Sequence, residues 1–320
     1  MNKDSGLSTK VSVTTPGALR TSLKLNMRVL EPYLYLMPAL LIFGVFMFAP
    51  LIFAFYLALT DWDLISSNYD IVWFENFIRL ATDHRFVRAV KNTVYFSMVT
   101  VPVQMVLALT LALLLNERIR LRSFFRAIYF APVLVPVTVT AIIWMFIFSP
   151  SFGIMNYLLE QFGLPGPAWF SDPKWAMPAI MILAVWQNFG YHTIIFLAGL
   201  QSIPQTLVEA AYVDGASKWQ AFWRITFSLL APTTFFVVIV YFIGALQMFV
   251  QVWVMTGAGT DSLHTGGPID STLTVVVLLY HTAFEYLKMG YGAAISVVLF
   301  MIIAVITVVN ARLLNYDVGY

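Results

Sequence analysis

Six apolar runs, at residues 33–60, 92–116, 128–148, 178–200, 230–256 and 291–314, constrain this chain more than anything else in it. Each approaches or exceeds the roughly 20 residues that a helix needs to cross a hydrocarbon core. None has Asp, Glu, Lys or Arg near its centre. Lipid offers the backbone no hydrogen-bond partner, so such runs must close their bonds internally. We therefore expect an all-α membrane protein with six transmembrane helices. A seventh run, 273–284, is too short to span and is expected to form a surface or re-entrant helix. The first run is too long for the h-region of a signal peptide and reads as a membrane helix. Residues 1–32 read as a polar N-terminal tail with a short helix near 19–30, and 315–320 as a C-terminal tail, leaving 33–314 as the membrane domain.

Composition agrees with this reading and narrows the function. Hydrophobic residues make up 60% of the 320 and charged residues 11%, against about 25% charged in soluble domains. The net charge of +2 gives no footing for nucleic acid, and the absence of cysteine removes disulfides, thiolate metal sites and thiol catalysis. With the N-terminus inside, 12 of the 18 lysines and arginines fall in inner segments, the densest cluster between Arg118 and Arg126. Cytoplasmic loops carry that excess, so both termini are expected in the cytoplasm. The outer segments hold the turn-forming stretches, including the carboxylates Asp61, Asp63, Asp261 and Asp270, which lack EF-hand spacing and read as solvated loops.

Familiar chemistry has no residues here. There is no phosphate-binding GxxxxGK[ST], no HExxH, no GxSxG and no His cluster, so no catalytic residue, cofactor or metal is expected. Ion-coupled carriers usually keep ionisable groups inside their spans. Their absence disfavours a gradient-driven secondary carrier or channel, the alternative to a transporter driven by a separate motor. The polar groups within the spans are amides and aromatics: Gln104, then Gln187, Asn188 and Tyr191 beside Trp186 and His192, then Tyr241, Gln247, Gln251 and Trp253. Two roles fit them. They can bind helices together, or they can line a wet pathway for a neutral polyhydroxylated solute, whose hydroxyls seek amides and whose ring faces seek aromatics.

The long polar stretch 201–229 follows the fourth run. Ser202, three residues ahead of Gln205 and with Pro204 between, has the form of a capping box. A helix is expected from there to Tyr212, ended at Asp214-Gly215 by a left-handed glycine. A second helix from Ser217 would place Trp219, Phe222 and Trp223 on a membrane surface. Spacing alone does not distinguish this from an amphipathic loop.

Glu209-Ala210-Ala211, followed by Asp214-Gly215-Ala216 and then Phe222, Ile225 and Pro232, resembles the EAA loop of membrane subunits of ATP-binding-cassette importers. NTVYFSMVTVPVQMVLALTLALLLN, RAIYFAPVLVPVTVTAIIWMFIFSPSFGIMN and GYGAAISVVLF are similar to the carbohydrate branch of that family, the maltose and glycerol-phosphate permeases. The resemblance implies a type I importer permease that pairs with a second, homologous permease in the membrane lipid. It also implies an ATPase dimer inside, a solute-binding protein outside and a saccharide substrate. Glu209, Ala210, Ala211, Asp214 and Gly215 would then dock the ATPase, and Gln187, Asn188, Tyr191, Gln247, Gln251 and Trp253 would lie on the substrate pathway. Two departures stand out: Phe227-Ser228 occupies the place of the family's usual Leu-Pro, and the 257–272 loop is longer than the usual Gly-rich turn.

Overall fold

A computed structural model describes residues 31–66, 68–117, 120–257 and 266–313. The proposed tail helix at 19–30, Asp261 and residues 258–265 of the 257–272 loop lie outside these residues. Among the described residues the secondary structure is helical, apart from one isolated bridge between Thr60 and Ile71.

The chain divides into two compact units between Ala54 and Phe55. The first contains most of helix α1 (Glu31–Leu57), with a π-helical turn at Gly44–Phe48. Its large apolar side chains, Tyr33 to Phe53, are exposed within the unit. A helix apolar on all faces is suited to hydrocarbon.

The second unit is built on two long helices, α3 (His84–Asn116) and α7 (Ala176–Ser202), which run against each other. Small residues allow the close approach. Ala108 and Ala112 of α3 meet Phe196, Leu197 and Leu200 of α7 in one buried cluster. Short α2 (Glu75–Thr82) precedes α3, and Asp83 caps α3 by accepting from the backbone N–H groups of Arg85 and Phe86.

The third and fifth apolar runs are not continuous helices. α4 (Arg122–Leu134) and α5 (Val137–Ile147) meet at a 98° bend. Pro136 forces Val135 out of the helical region, to φ −84°, ψ 131°. After α6 (Ile154–Gln161), α7, α8 (Gln205–Val213) and α9 (Lys218–Leu229), the fifth run begins at a 62° bend into α10 (Ala231–Leu246). It breaks again at Gln247, and α11 (Val250–Gly257) completes it. Among the described residues, four helices are long and apolar enough to cross a bilayer, or up to six if each bent pair is one span. The seventh run forms α12 (Val275–Glu285), but it does not lie on a surface. Val275, Val277, Leu278, His281 and Ala283 are buried, because the helix packs between α3 and α13 (Met289–Leu313).

Glycines set two of the crossings. A Cβ on Gly190 would lie 1.8 Å from the carbonyl oxygen of Tyr129, so α4 crosses α7 where there is no side chain. Gly290 meets the carbonyl oxygen of Thr60 in the same way.

The N-terminal end of α3 is clasped to the segment that follows the described end of α11. Arg85 pairs with Asp270 through Nε at 3.2 Å and Nη2 at 3.3 Å, and donates Nη1 to the Tyr286 hydroxyl. Arg88 donates to the Ile269 carbonyl, and the Asn92 amide to the carbonyls of Asp270 and Leu273. The clasp holds Ile269 and Asp270 at positive φ, 55° and 56°. Such residues persist only where their surroundings over-determine them. Arg85→Leu is expected to release the segment, costing about 1–3 kcal/mol for the half-buried bidentate pair. Faster limited proteolysis at residues 266–273, with the helix content unchanged, is the check.

Candidate functional site

The 201–229 stretch folds as two short helices, as expected, but it starts differently. α7 runs on through Ser202, whose hydroxyl donates back to the Gly199 carbonyl, so the capping box at Ser202 does not form. Pro204 is the N-cap of α8 and offers no side-chain cap. The capping box sits one helix later, where the Ser217 hydroxyl accepts from the Gln220 N–H and the Gln220 side chain accepts from the Ser217 N–H.

The end of α8 is the glycine stop. Gly215 has φ +84°. Its N–H bonds to the Tyr212 carbonyl, and the Ala216 N–H to the Ala211 carbonyl. That is a full Schellman closure, which satisfies two carbonyls that the helix end would otherwise leave open. Ala211 is buried, α8 touches α9, and Glu209, Ala210, Asp214 and Gly215 are exposed. The α8–Gly215 corner is therefore a short, rigid projection that presents Glu209 outward. In α9, Trp219, Phe222, Trp223 and Phe227 form a cluster of ring contacts, centroids 5.0–6.4 Å apart, with Trp219 and Trp223 exposed.

The polar residues of the fourth and fifth runs come together around one open cavity of about 490 Å³. Gln187, Asn188 and Tyr191 of α7 face it, as do Gln247 and Gln251 at the break between α10 and α11. Trp253 is not on this wall. Its ring packs against Phe249, Tyr280 and His281, because α11 turns it toward α12. Some of the amides also bind the helices together. Gln104 reaches His192 at 3.1 Å, and the Gln187 amide nitrogen donates to the Val135 carbonyl where α4 and α5 part. The Gln187 Oε1 is buried with no partner. A buried acceptor without a donor costs about 1–3 kcal/mol, and a donor-bearing molecule in the cavity relieves that cost.

Sequence reasoning did not place Phe96, Val137, Val240, Gly244 and Met248 on the cavity wall. Part of the signal was present. Val240, Gly244, Gln247 and Gln251 recur at intervals of three and four, the spacing of one helical face. The clasp residues Arg85 and Asp270 gave no signal, since 185 positions separate them.

The family model described as binding-protein-dependent transport system inner membrane component matches residues 104–315. The chain belongs to this family. It is thus a multi-pass inner-membrane permease, a transport subunit. The permease is 34% identical over 290 residues to the sn-glycerol-3-phosphate transport system permease protein UgpA of Agrobacterium fabrum, covering 90% of this chain and 96% of that one. It is also 34% identical over 283 residues to the trehalose/maltose transport system permease protein MalF of Thermococcus litoralis, covering 88% and 92%. Its fold superposes with a TM-score of 0.76, at 22% identity, on a chain of the bacterial alginate ABC transporter solved with an alginate pentasaccharide-bound periplasmic protein, covering 91% of this chain and 96% of that one.

Proposed function

We propose that this permease imports a saccharide or saccharide derivative. It forms half of the translocation pathway and takes its energy from a separate ATP-binding-cassette ATPase. The observation that carries the substrate class is the convergence of Gln187, Asn188, Tyr191, Gln247 and Gln251 on one cavity without a charged residue. Amides and a phenol match the hydroxyls of a sugar, and the neighbouring aromatic rings match its apolar faces. The trehalose/maltose transport system permease among the relatives supports the same class.

Energy coupling enters through α8. A second, homologous permease completes the pathway, and both N- and C-termini lie in the cytoplasm, so that Glu209, Ala210, Ala211, Asp214 and Gly215 face the ATPase. ATP-driven closure of two ATPase subunits would draw the two α8 helices together, turning the cavity outward toward a solute-binding protein. No residue of this chain takes part in hydrolysis. The break at Gln247 supports the cavity's role. Irregular backbone at membrane depth is tolerated where it lines a water-filled space.

Single changes of Gln187, Tyr191, Gln247 and Gln251 to Ala are expected to weaken uptake in assembled vesicles by roughly 5- to 100-fold, the loss of one hydrogen bond or ring contact to a bound sugar. Assembly and basal ATP hydrolysis should stay unchanged. Wild-type uptake in all four variants overturns the pathway assignment.

A further inference from the structure

Two further cavities lie along α3 and α7, away from the polar one. On α7 they are lined by Pro178, Ile182, Val185 and Phe189. At 3.6 residues per turn these form one stripe on nearly the opposite side of the helix from Gln187 and Tyr191. The first cavity, about 700 Å³, is a basic niche. His84, Arg88, Lys91 and Lys174 line it, and among the described residues its wall contains no Asp or Glu. Arg88 is held there by its bond to the Ile269 carbonyl, and the Ser271 hydroxyl oxygen beside it is buried without a partner. The second, about 510 Å³, is an apolar groove lined by Val99, Val103, Leu107, Met181, Ile182 and Trp186 among others. The two meet, since Tyr95 and Pro178 line both.

A cationic niche opening into an apolar groove matches a molecule with an anionic head and a hydrocarbon tail. The groove follows α3 from Tyr95 to Leu107, about 18 Å at 1.5 Å per residue. That is close to the roughly 15 Å that one leaflet contributes to a 30 Å core. The groove offers aromatic rings but few partners for the hydroxyls of a sugar, and an acidic protein surface could not enter it at membrane depth.

We propose that this slot is a site for one anionic phospholipid, with the phosphate of its headgroup among Arg88, Lys91 and Lys174 and an acyl chain between α3 and α7. The assignment to the outer leaflet rests on the orientation given under the proposed function; the site itself does not. Each cation near an anionic headgroup strengthens binding severalfold. The lipid would wedge the outer ends of α3 and α7 beside the clasp at Asp270, so membrane composition would bear on the outer opening of the permease.

The full chain, reconstituted in vesicles of phosphatidylcholine with or without phosphatidylglycerol and re-extracted in mild detergent, tests this by native mass spectrometry. Wild type is expected to retain one phosphatidylglycerol in preference to phosphatidylcholine. Lys174→Gln alters an exposed residue and should lower retention roughly fivefold, and K91Q/K174Q about 25-fold. Val103→Phe fills the groove without touching the charges and should also release the lipid. Equal retention of the two lipids, or wild-type retention in Lys174→Gln and Val103→Phe, overturns the proposal. So does displacement of the lipid by millimolar inorganic phosphate, which would mark a site for soluble anions. The chain has no cysteine, so a Val103→Cys variant reports the remaining occupant. A cross-link from Cys to a second permease would make the groove a subunit interface and also overturn the lipid site.

Discussion

Gly215→Pro is expected to abolish coupling between this permease and its ATPase. Gly215 sits at φ +84°, whereas the proline ring fixes φ near −65°. The substitution also removes the N–H that closes onto the Tyr212 carbonyl. Together these cost about 3 kcal/mol or more, enough to unravel α8, which at nine residues cannot hold its shape unsupported. Because such a variant damages structure as well as docking, Glu209→Lys is its companion. Glu209 is exposed, so its replacement leaves the fold intact while reversing the charge offered to the ATPase. ATPase copurification and substrate-stimulated hydrolysis are both expected to fall at least tenfold in each variant. Unchanged association and coupling in both would remove α8 from the docking role.

The second large effect is expected at Gly190. Valine there would place its Cβ 1.8 Å from the Tyr129 carbonyl oxygen, a contact that backbone alone makes and no rotamer change relieves. α4 would have to lift off α7, breaking the Gln187 bond to Val135 as well. Overpacking of this kind costs about 1–3 kcal/mol or more. We expect most of the Gly190→Val protein to aggregate on detergent extraction, read by size-exclusion chromatography. Gly44→Ala, where a Cβ meets open space, should behave as wild type. A monodisperse Gly190→Val peak would show that the crossing can slide.

Much of this architecture is legible in the sequence because bilayer thickness is a ruler. The runs at 92–116 and 178–200, and 291–313 of the last, lie within α3, α7 and α13, since an uninterrupted apolar stretch of that length has one way to cross lipid. The breaks were less legible. Pro136 sits at one, inside a run that reads as a single span, and the Gln247 break beside the open cavity carries no proline to announce it. The Gly215 stop was readable from a single residue, and Ser202 was misread for a related reason. A serine before a helix caps it only if the preceding helix has already ended, and α7 had not. Trp253 was grouped with Gln247 and Gln251 by nearness in sequence, whereas the helix period separates them. The clasp was invisible, as any pairing across most of a chain must be without structure.

That clasp also sets a timetable. Arg85, Arg88 and Asn92 find their partners 178 to 185 residues downstream. At roughly 5–20 residues per second of synthesis, about ten to forty seconds separate their emergence from that of Asp270. During that interval the N-terminal end of α3 lacks these bonds, whatever the membrane has already accepted. The N-terminal end of α3 is thus among the last parts of the permease to find its partners in biogenesis, and its closure waits on nearly the whole chain.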